Sequence, residues 1–453
     1  MKRKWISFGL FGLCWTAGTP LQAQLSIGAQ VRTRTELRGG QGAPLPKGAT
    51  PAFFTSQRSR LSMGFNSYRL KLGLTAQDVR VWGQDASTIN RTTTADNNAL
   101  MLHEAWAEIA LLDTTVKAQT LNLKLGRQEW VYDDSRLLGN LDWLQQARRH
   151  DGALLKYDKA TLSVHAGLAF NQNKEGATGT NYNNTPPGNY TATTNGGSMY
   201  KSLQFLYAAK KYKAGSTSFL FLADQFNKYH MNTANGATTK VFDKGTVSRF
   251  TTGLYTNTNI GKTNLSASAY YQFGKNNTLQ QTSAYLLSVA AMKTVSKKLA
   301  AGAGVDYTSG GTKGSTSKAF DPLYGTPHKF WGLMDYFYVA NPFGKGGLVD
   351  YYLKSKYKAS EKLGLTADLH QFNSATAIAI DGKNSSNRSF GQELDLVANY
   401  TITKQIGIEA GYAHFFSTSL LTAPAVKNIA NARSNANWAY VMVNIKPEFL
   451  FKQ

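Results

Sequence analysis

Between Gly126 and Tyr157 the chain concentrates the side chains most able to do chemistry. Asp133-Asp134, Asp142 and His150-Asp151 stand there beside Arg127, Arg136, Arg148 and Arg149. Adjacent carboxylates, or a histidine next to an aspartate, can serve as general acid and base. The same residues in a charged loop are more often solvated or arginine-paired. The seven histidines (His103, His150, His165, His230, His328, His370 and His414) show no metal-ligand spacing such as HxxxH. No nucleophile is placed beside a base, and Gly302-Ala303-Gly304 lacks the rest of a nucleotide fingerprint. No catalytic residue, cofactor or metal is expected.

The elements that position these residues alternate with period two. Leu121, Leu123 and Leu125 alternate with Asn122, Lys124 and Gly126 before the charged stretch, and alternation resumes at Gly152. Leu25, Ile27, Ala29 and Val31 oppose Ser26, Gln30, Arg32, Arg34 and Glu36. Leu61, Met63 and Phe65 oppose Arg58, Arg60, Ser62 and Gly64. After a tight turn at Asn66-Ser67, Leu70, Leu72, Leu74 and Ala76 oppose Arg69, Lys71, Thr75 and Gln77. Continued along the chain, this predicts about 18 strands, many near the roughly 9 to 11 residues that a tilted membrane strand needs. Beyond the first three they fall at Leu100–Leu111, Gln119–Gln128, Gly152–Asp158, Thr161–Phe170, Tyr200–Ala209, Gly215–Gln225, Val247–Asn257 and Asn264–Phe273. The remainder are Ser283–Lys293, Leu299–Tyr307, Leu348–Tyr357, Leu363–Gln371, Gly391–Thr401, Ile406–Phe415 and Asn437–Lys446.

Long connections (Arg38–Ser56, Asn171–Met199, Thr308–Gly347) alternate with short ones such as Asp158-Lys159-Ala160 and Ile402–Gln405. A membrane barrel with short periplasmic turns and long external loops has this rhythm, and a soluble sandwich has no reason to keep it. The even count puts both termini on the periplasmic side. The fold class is therefore all-β, a single antiparallel transmembrane barrel spanning residues 24–453. Residues 1–23 read as a signal peptide, with Lys2, Arg3 and Lys4 ahead of the apolar run Trp5–Ala17 and small Ala23 at the cleavage point. The single cysteine, Cys14, lies within it, so neither a disulfide nor a cysteine-ligated metal is expected in the mature chain. No later apolar run is long enough for a transmembrane helix.

The net charge of +23 falls by three to +20 when Lys2, Arg3 and Lys4 leave with the leader. Nucleic acid is an improbable partner for an exported chain without recognition motifs. If the apolar face meets outer-membrane lipid, the polar face lines a lumen. That face carries Arg32, Arg34, Arg58, Arg60, Arg69 and Lys71, with Arg127, Arg148 and Arg149 in the charged stretch. Glu36, Glu104 and Glu108 are available as partners. Fixed arginine rows hold a positive potential and grip carboxylates in pairs, so the lumen is expected to select anions. The bland alternative is an Arg–Glu ladder that only stiffens the wall. Within Thr308–Gly347, His328, Lys329, Phe330 and Trp331 form a candidate constriction; the alternative is an aromatic anchor at the rim.

The segment GRQEWVYDDSRLLGNLDWLQQARRHDGALLKY, with FDPLYGTPHKFWGLMDYF (Phe320–Phe337) and the run LSIGAQVRTRTELR followed by QRSRLSMGF, resembles the alginate-export family of outer-membrane β-barrels, in the form seen in Bacteroidota-like bacteria. The resemblance covers essentially the whole mature chain. It implies an 18-stranded monomeric barrel whose basic lumen passes an acidic exopolysaccharide by diffusion. The carboxylate-guiding role it implies extends to Arg32, Arg34, Arg58, Arg60, Arg69, Arg127, Arg148 and Arg149. Many outer-membrane barrels end on an aromatic residue, whereas this chain ends Phe451-Lys452-Gln453. A general anion or nutrient porin remains an alternative. So does a closed barrel whose basic external loops bind surface polysaccharide or a partner protein.

Overall fold

The computed structural model describes residues 24–83, 100–113, 118–172, 182, 200–234, 236–337 and 346–452. The expected signal peptide and nearly all of the Asn171–Met199 loop lie outside them. In the first strand, β1 (Gln24–Gly39), Arg32, Arg34 and Glu36 are buried, while Val31 and Leu37 on the opposite face are 40% and 45% exposed. Apolar side chains outward and charged ones inward suit a sheet whose surroundings are hydrocarbon. The same inversion recurs wherever the sequence alternates. Leu70, Leu72 and Leu74 are exposed around a buried Thr75 and Gln77, and Tyr285, Leu287 and Val289 are exposed around a buried Ala284 and Leu286.

The wall has 18 antiparallel strands. After β1 come β2 (Ala52–Ser67), β3 (Leu70–Val81), β4 (Met101–Ala110), β5 (Gln119–Gln128), β6 (His150–Lys159), β7 (Leu162–Phe170), β8 (Ser202–Tyr212) and β9 (Gly215–Ala234). The circuit continues through β10 (Ala237–Ile260), β11 (Thr263–Lys275), β12 (Gln281–Thr294), β13 (Leu299–Thr308), β14 (Leu348–Lys358) and β15 (Leu363–Asn373). It ends with β16 (Ser389–Thr403), β17 (Ile406–Ser417) and β18 (Asn435–Ile445). Each strand pairs with its neighbours in sequence, and β18 closes on β1 in a register running from Val31↔Ile445 to Gly39↔Asn437. Pro447, which has no N–H to donate, interrupts the last strand. Glu448–Lys452 then resumes pairing with the start of β1. Closure leaves no backbone edge exposed to lipid. Among the described residues no helix is long and apolar enough to cross a membrane, so strands are the spanning elements.

Two local readings shift. The β2–β3 hairpin turns at Tyr68-Arg69 rather than Asn66-Ser67, because β2 keeps its pairing through Ser67↔Leu70. Strands β9 and β10 continue past Gln225 and Val247 into a tall hairpin tipped by Gly236, which adopts φ +77°. Mutual pairing beyond the bilayer satisfies backbone groups there without burial.

The core of the molecule lies inside the barrel. Residues 129–149, the β5–β6 loop, and residues 309–337 of the β13–β14 loop fold inward. Leu137, Leu138, Phe320, Leu323, Trp331, Met334 and Phe337 from these loops pack with Phe205, Leu222, Phe372, Phe415 and Trp438 of the wall. Leu138 and Tyr324 form an isolated parallel bridge that ties one loop to the other.

Candidate functional site

The alternation of β1 and β2 sends Arg32, Arg34, Arg58 and Arg60 to one patch of the inner wall. Arg32 lies opposite Arg58 in the β1–β2 register. Like charges so close need a counter-ion, and Asp142 of the β5–β6 loop supplies it. Its carboxylate lies 3.2 Å from Arg32, 2.8 Å from Arg58 and 3.4 Å from Arg60. Burial alone would raise the Asp142 pKa; Arg58, then Arg32 and Arg60, outweigh it and hold the carboxyl down at about 2. Gln30 accepts from Arg58 at 3.1 and 2.8 Å, and Gln77 accepts from Arg60 at 2.6 Å. Arg34 is tied to Glu36 at 2.9 Å and lies over the Trp143 ring at 4.3 Å.

From this patch the β5–β6 loop crosses the whole lumen. Tyr132 packs against Phe205 and Tyr207 on β8, and Asp133 accepts hydrogen bonds from Tyr207 and Ser218, each at 2.8 Å. Burial pushes the Asp133 carboxyl up to about 6 despite those two donors. Arg136 reaches Asp306 on β13 at 2.5 Å and Asp134 at 3.3 Å, with Phe330 stacked on its guanidinium at 4.0 Å. The loop is thus pinned to the wall on three sides.

The β13–β14 loop makes a second crossing. Asp321 pairs with Arg249 of β10 at 2.6 Å, and Tyr324 donates to Asp224 at 2.8 Å. Leu333 and Met334 give their backbone N–H groups to Asp395 and Glu393 of β16 at 3.1 and 2.7 Å. Gly332 permits that approach, since a Cβ there would meet the Glu393 carboxylate. Tyr336 and Phe337 pack edge-on and tilted against Phe415 and Phe372.

The residues singled out in the sequence do not all converge. Arg32, Arg34, Arg58 and Arg60 share the inner wall of β1–β2. Glu36 is buried there between Arg34, Arg38 and Trp438. Toward the short-turn end, Glu108 pairs with Lys156 at 2.5 Å and approaches Lys71 at 3.9 Å. Glu104 accepts from Trp106 at 3.2 Å, and Lys124 lies over that indole at 3.8 Å. Arg69 sits apart, in the short turn between β2 and β3, where its guanidinium donates to the carbonyls of Ala110 and Leu111. Arg127 is on the outer face. It continues the Leu121–Leu123–Leu125 side of β5 and forks onto Asp151 of β6, with both contacts at 2.7 Å. Arg148 is buried among the carbonyls of Gly139 and Gly325. Arg149 meets the Met101 sulfur at 3.3 Å, and burial lowers its pKa to about 10.

The loop residues are placed as follows. His328 lies inside the barrel, stacked on Trp143 at 4.2 Å and hydrogen-bonded to Asp335 at 2.8 Å. Trp331 is buried, while Lys329 is exposed and donates to the carbonyl of Asp134. His150 and Asp151 occupy opposite faces of β6: His150 stacks inward on Trp130 and shares a hydrogen bond with Tyr200, and Asp151 faces outward. They form no common acid–base site. Among the described residues no group of three His, Cys, Asp or Glu side chains is arranged around a metal position. The sequence showed Asp142 as one charge among several. Its pairing across more than eighty residues had no local signal.

Two cavities flank the Asp142 segment. One, of about 540 Å³, is lined by Arg58, Arg60, Thr75, Glu104, Trp106 and Asp142 and opens toward the short-turn end. Its floor is partly Trp106, which lies so flat over Gly73 that any Cβ there would collide with the indole. The other, of about 480 Å³, is lined by Arg34, Arg38, Phe54, Leu144 and Gln145 on the long-loop side. Residues 142–146 stand between them.

A model described as alginate export matches residues 23–429. No curated protein sequence matches the chain significantly. Among solved structures, OccK3 (OpdO) of Pseudomonas aeruginosa is similar with a TM-score of 0.58 at 11% identity, over 94% of this chain and 96% of that one. OccAB4 of Acinetobacter baumannii aligns with a TM-score of 0.58 at 12% identity, over 94% and 98%. The outer membrane protein opdK of Pseudomonas aeruginosa gives 0.54 at 9% identity, over 94% and 99%. At these identities the likeness speaks to the barrel itself. The chain belongs to the alginate export family and is an outer-membrane channel protein built as an 18-stranded β-barrel.

Proposed function

We propose that this channel is passive and anion-selective, and that it passes an acidic polysaccharide or its fragments along the β1–β2 wall. The observation that carries the reading is the convergence of Arg32, Arg58 and Arg60 on one carboxylate inside the lumen. Arg34 and Arg38 continue the basic wall on the far side of the Asp142 segment. Guanidinium groups are charged at any working pH and match carboxylates with two parallel donors. A row of them offers successive footholds to a chain of uronates, whereas a neutral sugar, with only hydroxyl and ring oxygens to accept, gains no charge pairing from them. Lys71, Lys124 and Lys156 extend the positive charge toward the short-turn end, diluted by Glu104 and Glu108.

Purified protein in liposomes should admit a uronate trisaccharide faster than a neutral trisaccharide of equal size. Arg60→Glu with Arg34→Glu should remove most of that difference. Equal entry of both sugars into wild-type liposomes would point to a general porin instead. A second reading, a closed barrel whose loops bind polysaccharide or a partner protein, has one observation in its favour: both inward loops cross the lumen. Trimming the β13–β14 loop separates the two, because a binder loses its ligand and a channel keeps or gains conductance.

A further inference from the structure

The Asp142 carboxylate resembles, in charge and geometry, the group that the arginine wall would bind in a uronate. It is carried on a small lasso, residues 141–147, whose base is closed by the Arg148 N–H donating to the Asn140 carbonyl at 2.6 Å. Leu141 and Ala147, at the two ends of that excursion, adopt φ +49° and +51°. Side-chain-bearing residues hold such angles only where surrounding contacts compel them.

Many of the compelling contacts come from the arginine wall. Arg32 donates to the Asp142 carboxylate, the Trp143 and Leu144 carbonyls and Gln145; Arg34 donates to the Trp143 carbonyl. Gln145 adds a bond to Ser56 at 3.0 Å. The three arginine side chains are 5%, 1% and 13% exposed, but Asp142 is 45% exposed and faces the larger cavity. One nitrogen of Arg60, Nη2, is buried with no hydrogen-bond partner among the described residues.

We propose that Arg32, Arg58 and Arg60 form a carboxylate-binding subsite that Asp142 occupies as an internal ligand, and that an incoming uronate carboxylate takes its place and frees the lasso. This rests on the acidic-saccharide reading above. Exchange of one carboxylate for another leaves no buried guanidinium uncompensated, so it avoids the penalty of simply pulling Asp142 away. A neutral sugar cannot make the exchange, and chloride lacks the two-oxygen geometry that the forked donors fit. The lasso therefore acts as a filter as well as a barrier, and its release joins the two cavities along the arginine wall.

The test is block of single-channel current in planar bilayers by trigalacturonate, with maltotriose as the neutral control. In Asp142→Asn the half-blocking concentration of trigalacturonate should fall at least tenfold, with that of maltotriose unchanged. A second variant fixes the lasso: Ser56→Cys with Gln145→Cys, joined by a short thiol crosslinker, should still conduct chloride but stop trigalacturonate until the link is cleaved. Wild type and Asp142→Asn blocked at concentrations within twofold of each other would overturn the internal-ligand proposal and leave the acidic-saccharide reading intact. So would a crosslinked channel that passes trigalacturonate at the uncrosslinked rate. Absence of block in both wild type and Asp142→Asn would overturn the two together.

Discussion

Asp133 and Asp142 stand nine residues apart on one loop, yet their carboxyls are driven in opposite directions. Asp142 is held down at about 2 against an ordinary value of 3.8. A depressed folded-state pKa contributes stability above the free value and loses it as the pH falls through about 2. Asp142 thus contributes no titration step between pH 4 and pH 8. Asp133 is raised to about 6, so its folded form favours the proton, and the stability it contributes is lost as the pH rises from about 4 through about 6. The stability difference between wild type and Asp133→Asn, measured by chemical unfolding in detergent, should decline over that interval and be flat above it. A difference that rises with pH would show that Tyr207 and Ser218 outweigh burial. The same scale shows where residue type misleads. Charge alone groups Arg127 with the lumen arginines, whereas its parity with Leu121, Leu123 and Leu125 puts it on the outer face. For Arg69 the parity was uninformative, because a turn residue belongs to neither face.

At the scale of elements, the strands were legible because lipid on one side and a polar interior on the other impose a two-residue period on every segment. The inward loops were not. Nothing in WVYDDSRLLGNLDWLQQARR alternates, and its partners are spread around the wall, among them residues of β1, β2, β3, β8, β9, β13 and β18, reached only once the wall has closed. The Arg136–Asp306 pair anchors the middle of that loop, with the two side chains 5% and 2% exposed. Removing one member of such a buried pair costs on the order of 3–5 kcal/mol. Asp306→Asn should therefore lower hydrogen-exchange protection across residues 132–139 by roughly a hundredfold or more. Unchanged protection would mean that Asp134 and the Phe330 ring suffice to hold Arg136. The lasso offers a further test. Its ends already meet, so replacing residues 141–147 by two glycines should leave the barrel folded and raise single-channel conductance severalfold. No rise would assign the narrowest point to the β13–β14 loop.

For the whole molecule, the barrel and its membrane location follow from one inversion repeated around the wall: leucines exposed, charges buried. The surplus of arginine and lysine, +23 over the full chain, is a bulk property; the proposed function rests on the part of it that the sheet gathers on the inner face of β1–β2. The resemblance seen in the sequence and the family match agree on the kind of protein. They leave the selectivity to be decided by the lumen itself. The most direct measurement is the zero-current potential of purified wild-type protein in a planar bilayer under a tenfold potassium chloride gradient at pH 7. The potential should have the sign of chloride permeating faster than potassium, and Arg60→Glu with Arg34→Glu should move it toward zero or past it. A wild-type potential with the sign of potassium permeating faster would contradict the anion-selective lumen.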